Sequence, residues 1–370
     1  MDYKLCVPCL FGLEGLVAEE LRRLGLGGVA AENGRVNFTG DAQAVAAANI
    51  ALRTGERVLL ELGSFQAPSF DALFEGTRAL PWEQLLPADA AFPVTGHCLN
   101  SQLSSVPDCQ RIVKKAVVER LGSRYGLRWF PESGARHQIR FSIMKDRACL
   151  YLDTSGEGLH KRGYRPAHTA APLRETLAAA MVMLSRYRGK GEFCDPFCGS
   201  GTLPIEAALI AKNRAPGLER RFAAMDWPLL DAGIWPAARE AARAREFHAD
   251  YAILGSDLDP GAVELARANA CRAGVEDMLR LECADARSFA RDTQRGVIVT
   301  NPPYGERLME KQEVEELYRA FGQALGRCEG WQLYLLSAHT EFERCFGRQA
   351  DKKRKLYNGM IKCDLFMYYK

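Results

Sequence analysis

The alternation of apolar and polar positions changes period about midway along the chain. Leu5 to Phe11 is an apolar run of strand length. Leu13, Leu16, Val17, Glu20, Leu21 and Leu24 follow at three-to-four spacing, a helix that the stretch Gly25 to Gly28 stops. Val29 to Phe38 alternates around Asn33-Gly34, a hairpin signal. An alanine-rich helix runs from Asp41 to about Leu52, and Arg57–Phe65 reads as a strand. Then come a helix from Phe70 to Leu80 ended by Pro81-Trp82, a strand at Phe92–Leu99 and a long helix from Asp108 to Tyr125. Ile139–Lys145 and Arg147–Asp153 are strands around Lys145-Asp146. Such short alternation predicts two small α+β units, 1–65 and 66–155.

Ser155 to Gly163 is polar and glycine-rich, which predicts a linker over 156–167. Beyond it, apolar strand cores at Glu192–Phe197, Ala252–Asp257, Leu279–Cys283, Gly296–Thr300 and Gln332–Ser337 are separated by helical segments. In Glu315–Arg327 the residues Leu317, Tyr318, Phe321 and Leu325 share one face with Val314. Continuous apolar strands alternating with helices predict an α/β unit over 168–370, a buried parallel sheet with helices on both faces. Arg354 to Ile361 adds an antiparallel closing hairpin with its tight turn at Asn358-Gly359.

Composition narrows the class. A chain of 370 residues accommodates two or three domains, and 47% hydrophobic with 26% charged residues is ordinary for a soluble globular protein. No apolar run approaches the roughly 20 residues that span a bilayer, and no apolar stretch follows a basic start as in a signal peptide. A cytoplasmic protein without membrane contact is the expectation. The net charge of +3 permits a nucleic-acid partner without requiring one. The 12 cysteines are irregularly spaced, and Cys6-x-x-Cys9 has no second pair, so reduced core thiols and no metal are expected.

Candidate chemistry collects at the strand ends of the second half, where open α/β sheets place their ligands. The first strand runs into Asp195-Pro196-Phe197-Cys198-Gly199-Ser200-Gly201-Thr202 and then a helix. Gly199 and Gly201 let backbone approach a ligand, but the third glycine of a dinucleotide fingerprint and the Gly-Lys-Ser/Thr of a P-loop are missing. An acid before the turn repels phosphate and suits the ammonium of a methionine moiety, which points to S-adenosylmethionine. The second strand ends at Asp257, placed for ribose hydroxyls, with Asp259 as a helix cap. The third ends at Asp285-Ala286, with Asp285 placed for an adenine amino group. Any one such Asp is most simply a cap; three at successive strand ends describe a cofactor crevice.

The fourth strand runs into Asn301-Pro302-Pro303-Tyr304. Two prolines stiffen the turn and remove two N–H donors, leaving carbonyls and the Asn301 side-chain oxygen as acceptors. An exocyclic amine that donates both hydrogens there frees its lone pair for a methyl sulfonium, and Tyr304 can stack on a flat substrate. No Cys or His nucleophile is needed. The tetrapeptide alone leaves adenine N6, glutamine N5 and guanine N2 open.

The order Asp-Pro-Phe-Cys-Gly-Ser-Gly-Thr, acidic strand ends, Asn-Pro-Pro-Tyr-Gly-Glu-Arg-Leu resembles the class I amino-methyltransferases. The strings Asp153-Thr154-Ser155-Gly156, Leu159-His160-Lys161-Arg162-Gly163-Tyr164-Arg165 and Ala171-Pro172-Leu173-Arg174-Glu175-Thr176 narrow the resemblance to THUMP-domain RNA guanine-N2 methyltransferases, most like the large-subunit ribosomal RNA branch. It covers essentially the whole chain. It implies a ferredoxin-like first unit, a THUMP domain holding RNA, and Thr169, Ala170 and Leu173 at the cofactor. A second methyltransferase unit, as one bifunctional type carries, is not expected here.

The helix from Gln110 carries Arg111, Lys114 and Lys115 on one side, a stripe suited to phosphates; with Arg165 they form the expected RNA contacts. Lys352-Lys353-Arg354-Lys355 either touches RNA or protects a sheet edge. The insertion 213–247, with Trp227 and Trp235, has no assignable role from sequence. The expected activity is therefore guanine-N2 methylation of RNA, most simply 23S ribosomal RNA. The alternatives are a tRNA enzyme of the same architecture and a non-catalytic RNA-binding assembly factor, which would have lost the pocket residues.

Overall fold

The computed structural model describes residues 2–165, 173–304 and 311–369. Its first part runs β1 (Tyr3–Pro8), α1 (Glu14–Arg23), β2 (Gly27–Glu32), β3 (Arg35–Gly40), α2 (Ala42–Ala51), β4 (Leu59–Gln66), α3 (Phe70–Arg78), β5 (Val94–Leu99), α4 (Val106–Tyr125), β6 (Ile139–Met144) and β7 (Arg147–Asp153). The Asn33-Gly34 turn joins β2 and β3, with Glu32 opposite Arg35 and Gly34 at φ +74. Asp41 caps α2 through the Ala44 N–H at 3.0 Å. All seven strands form one sheet, β2-β3-β1-β4-β7-β6-β5, so the two N-terminal segments are joined by the β4–β7 ladder.

The second part runs α5 (Glu175–Leu184), β8 (Glu192–Asp195), α6 (Thr202–Ala211), α7 (Ile234–Arg243), β9 (Ala252–Asp257), α8 (Pro260–Ala273), β10 (Leu279–Cys283), β11 (Gly296–Thr300), α9 (Lys311–Leu325), β12 (Trp331–Ser337), α10 (Phe342–Phe346), β13 (Lys352–Asn358) and β14 (Ile361–Tyr368). Its sheet has the order β10-β9-β8-β11-β12-β14-β13. The first five strands are parallel; β14 and β13 close it antiparallel. The chain moves outward from β8 to β10, then reverses to β11 on the other side. That reversal makes a crevice at the carboxyl ends of β8 and β11.

Two expectations change. The last hairpin pairs Asn358 with Ile361, so its turn is Gly359-Met360, one residue later than the Asn-Gly signal. Asn358 is thereby a strand residue. The described part of the segment expected as a linker, 156–165, packs as a seam: Leu159, Arg162 and Tyr164 are buried, next to fully buried Thr154 and Ser155. Its Arg162 faces Glu206 of α6 at 3.3 Å and donates to the Leu159 carbonyl at 2.7 Å and the Arg53 carbonyl at 2.5 Å. A buried guanidinium needs such partners, and they lock the seam.

The insertion 213–247 acts as a strap across the N-terminal sheet. Gly217 N–H donates to the Ile50 carbonyl at 2.9 Å, and Ala224 N–H to the Thr154 carbonyl at 3.1 Å. Trp227 stacks on buried His137 at 4.7 Å and donates its indole N–H to the Arg136 carbonyl at 2.9 Å. Trp235 stacks on Phe222 at 5.4 Å, and both join the N-terminal core. No helix is long and apolar enough to cross a membrane, and no cluster of three metal-ligating side chains occurs among the described residues.

Candidate functional site

Asp195 closes β8 and is 2% exposed. One of its oxygens accepts the Thr300 hydroxyl from β11 at 2.6 Å and the Phe197 N–H at 3.2 Å. Burial pushes its carboxyl from 3.8 up to about 7, against the pull of those donors. The next residue, Pro196, is buried and has no N–H to place. Phe197 packs edge-on against Phe321 of α9 at 5.3 Å. Cys198 is buried, its N–H bound to the Ser256 carbonyl at 2.9 Å, and burial raises its thiol, which suits packing and not nucleophilic attack.

Gly199 and Gly201 sit at φ +50 and +81, backbone that L side chains avoid. A Cβ on Gly201 would stand 2.9 Å from the Ala266 Cβ of α8, whereas one on Gly199 would face open space. The Ser200 carbonyl is pinned by Asn269 at 2.9 Å, and Thr202, buried, opens α6. The turn is thus held from α8 with its free side toward the crevice.

Asp257 ends β9 half-buried. It accepts the Gly199 N–H at 2.9 Å on one oxygen and the Asp259 N–H at 3.0 Å on the other. Asp259 caps α8 through Gly261 at 2.8 Å, as the sequence suggests. Asp285 caps a short turn through the Arg287 N–H at 2.9 Å, and Arg287 also grips both its oxygens, at 3.0 and 2.8 Å from Nε. That contact holds its carboxyl below the usual carboxylate range. Asp285 therefore faces its own arginine, not the open crevice. Ala286 is buried behind it. Leu258, 64% exposed, escaped the sequence reading; a large aliphatic left in solvent between the ends of β9 and β10 is the only signal, and it needs the structure. Leu173 is buried in the core of α5 and α6; Thr169 and Ala170 lie outside the described residues.

At the end of β11, Asn301 Oδ1 accepts the Tyr304 hydroxyl at 3.2 Å, and Asn358 Nδ2 donates to that same hydroxyl at 2.9 Å. The Pro303 carbonyl accepts the Tyr318 hydroxyl at 2.8 Å; the Pro302 carbonyl accepts nothing among the described residues. Tyr304 is half-buried, and burial raises its phenol. Asn358 was legible only as a turn residue; its side chain reaches the tetrapeptide because the hairpin turn falls one residue later.

The basic residues divide. Arg111 is exposed and pairs with Asp108 at 3.1 Å, and Lys115 is exposed above Phe74 at 5.5 Å. Lys114 does not belong with them: its ammonium sits 3.5 Å over Phe92, donates to the Phe92 carbonyl at 3.0 Å and pairs with Glu132 at 2.5 Å. Arg165 is likewise no surface cation. It pairs with buried Glu175 at 2.6 Å and reaches Thr202 Oγ1 at 3.2 Å, so it braces the glycine turn from behind. Both were expected on RNA because helix periodicity and a basic string show charge but not the carboxylates that fold back onto it.

The reversal of strand order beside a left-handed glycine turn, with acids at the neighbouring strand ends, defines a class I S-adenosylmethionine-dependent methyltransferase. Open space beyond Gly199, exposed Leu258 and the buried acid Asp195 fit a ligand with an apolar ring at one end and a cation at the other. Comparison agrees. Residues 162–366 match the RMKL-like methyltransferase domain family, 4–59 the RlmL ferredoxin-like domain and 67–153 the THUMP domain. The chain belongs to this THUMP-containing, RlmKL-like methyltransferase family.

It is 45% identical to YpsC of Bacillus subtilis, a candidate RNA methyltransferase, over 99% of this chain and 96% of that one. It is 35% identical to the ribosomal RNA large subunit methyltransferase K/L of Psychromonas ingrahamii, over 98% of this chain and 49% of that one. The chain thus spans about half the length of its K/L relatives. The solved structure of SMU.472, a candidate methyltransferase complexed with SAH, superposes with a TM-score of 0.93 at 40% identity, covering 100% of this chain and 98% of that one.

Proposed function

We propose that this protein transfers a methyl group to the exocyclic N2 amine of an unpaired guanine in RNA, in the large-subunit ribosomal RNA. The observation that carries the reading is the 2.6 Å hydrogen bond from Thr300 to Asp195, which fastens the Asn301–Tyr304 turn to the glycine turn across the topological switch. When bound, S-adenosylmethionine supplies an electrophilic methyl sulfonium. The turn from Asp195 to Thr202, with Asp257, Asp285, Ala286 and Leu173, holds it, and Thr169 belongs to the same set. For Asp285 to take an adenine amine, Arg287, which is more than half exposed, must swing aside.

Asn301 and the Pro302 carbonyl hold the amine. Among the described residues Asn301 Oδ1 accepts only from Tyr304 and the Pro302 carbonyl from none, which leaves lone pairs on both for an amine. Two accepted N–H bonds draw the nitrogen lone pair out of conjugation with the ring and leave it free to take the methyl group that the bound cofactor would supply. The amine then sheds one proton to solvent. Tyr304, its hydroxyl tethered by Asn301 and Asn358, presents its ring to the base. One N2 hydrogen of guanine pairs with cytosine in a duplex, so both are available only when the base is unpaired or flipped out.

RNA as the acceptor is supported by the THUMP match, by relatives named for RNA methylation, and by the exposed cations Arg111 and Lys115 on α4. Asn301→Ala removes one of the two amine acceptors. Calorimetry is expected to give cofactor affinity within about twofold of the parent, while methyl transfer falls by about 100-fold or more, the cost of a transition-state hydrogen bond. Near-full turnover by the variant would sink the amine-clamp mechanism.

A further inference from the structure

A cavity of about 410 Å³ lies at the seam between the N-terminal sheet and the methyltransferase sheet. The C-terminal ends of α1, α2, α5, α6 and α7 converge on it, and Arg23, Arg53, Arg188 and Arg245 line it together with apolar Leu24, Ile210 and Phe247. It is separate from the methyl-transfer crevice. α6 starts at the glycine turn, and its ten residues carry the chain about 15 Å away before Ile210 and Asn213 reach the cavity.

Arg53 is the informative residue. It is 9% exposed, and its Nη1 is buried without a hydrogen-bond partner. No ion pair reaches it among the described residues. Neither nearby carboxylate pairs with it: Glu20 accepts the Arg53 and Thr54 backbone N–H groups at 2.7 and 3.1 Å, and Glu206 faces Arg162 and Tyr164 with one oxygen, its other being buried without a hydrogen-bond partner. Of the other cations, Arg23 pairs with Glu19, Arg188 donates only to the Tyr187 carbonyl at 2.7 Å, and Arg245 is exposed without an ion pair among the described residues.

Converging helix C-termini carry partial negative charge and lower the cost of gathering four guanidinium groups. They do not explain why the donors of Arg53 are left unmet over an apolar floor. A buried arginine with free donors is a fork for phosphate, and Phe247, 60% exposed at the rim, offers a face for a base. We propose that this cavity is a second binding site, for a phosphate-bearing nucleotide, with Arg53, Arg188 and Arg245 on the phosphate and Phe247 against the base. The same chemistry is supplied by a free mononucleotide or by one nucleotide of a bound RNA.

The test is GMP titration of the full chain by calorimetry with the cofactor crevice saturated by S-adenosylhomocysteine, beside titration of a short RNA. Both are repeated with the Arg188→Ala/Arg245→Ala double variant, whose fold is checked by unchanged S-adenosylhomocysteine binding. A free-nucleotide site predicts saturable GMP binding, weakened at least tenfold in the variant, and no binding of guanosine. An RNA-phosphate site predicts weak GMP binding but RNA affinity at least tenfold lower in the variant, with a shallower salt dependence. Phe247→Ala, which keeps every charge, is expected to weaken GMP while leaving inorganic phosphate unchanged. Equal GMP and RNA affinity in parent and double variant would overturn the proposal. Methyl transfer is scored separately, so its loss or survival does not bear on this site.

Discussion

Asp195 is where the fold and the chemistry press hardest on one side chain. Its carboxyl is buried, hydrogen-bonded to Thr300 and raised to about 7. Between the unfolded value of 3.8 and about 7 the folded chain holds a proton that the unfolded chain has lost, so this residue's contribution to stability falls as pH rises through that window. A cationic ligand reverses the preference and favours the carboxylate. Cofactor affinity is therefore expected to rise with pH up to about 7, at most about tenfold per pH unit, with uptake of the ligand releasing a proton near pH 6. Calorimetry in buffers of different ionisation enthalpy reads that proton, and Asp195→Asn is expected to abolish it. A flat pH profile in the parent would separate Asp195 from the ligand's charge. Asp195 and its glycine turn were legible from residue types and order. Arg287 on Asp285 was not, because a local pairing across one residue has no distinctive pattern.

At the scale of elements, the strands carried their boundaries in the sequence. β7, β9, β10 and β11 fall where the apolar positions place them; in β7 and β11 that is because a strand buried on both faces must be apolar nearly throughout, whereas the edge strand β10 is exposed and shows only alternation. The hairpin of β13 and β14 shows the limit. Asn-Gly marks a turn, but the register set by Leu356, Cys363 and Leu365 facing the core moved it by one residue and delivered Asn358 to Tyr304. Helix α4 shows another. Periodicity puts Lys114 beside Arg111 and Lys115, yet Glu132 and Phe92 come from outside the helix to claim it. The two kinds of lysine are separable. Arg111→Glu with Lys115→Glu is expected to weaken RNA binding about tenfold and lower the log–log salt slope by about one to two. Lys114→Met is expected to leave RNA affinity in place and cost about 1–2 kcal/mol of stability, the scale of a partly buried cation–π contact and its hydrogen bonds. A filter-binding series in salt and a thermal melt check both; an RNA defect confined to Lys114→Met would reverse the assignment.

Across the whole molecule, two sheets are made into one body by the strap and the seam. The strap's Trp227 is 2% exposed and stacked on His137, and the seam's Arg162 is buried against Glu206. None of this was legible in sequence, since tryptophans in a long insertion fit substrate contact as well as packing, and partners some ninety residues apart leave no local signature. Trp227→Ala is expected to cost about 3–5 kcal/mol where the strap meets the N-terminal sheet. Scanning calorimetry should then show a lower or split transition, with cofactor affinity retained because the crevice at β8 and β11 is built by the other sheet. An unchanged melt would mean that the strap does not join them.

On the proposed function the joining matters, because the N-terminal sheet would deliver a base to Asn301, and the acceptor is the point on which that proposal stands. Mass spectrometry of ribosomal RNA from cells with and without this protein tests it most directly. The expected result is loss of one N2-methylguanosine from large-subunit RNA, restored by the parent chain and not by Asn301→Ala. Unchanged RNA, or loss of an N6-methyladenosine in its place, would contradict the account.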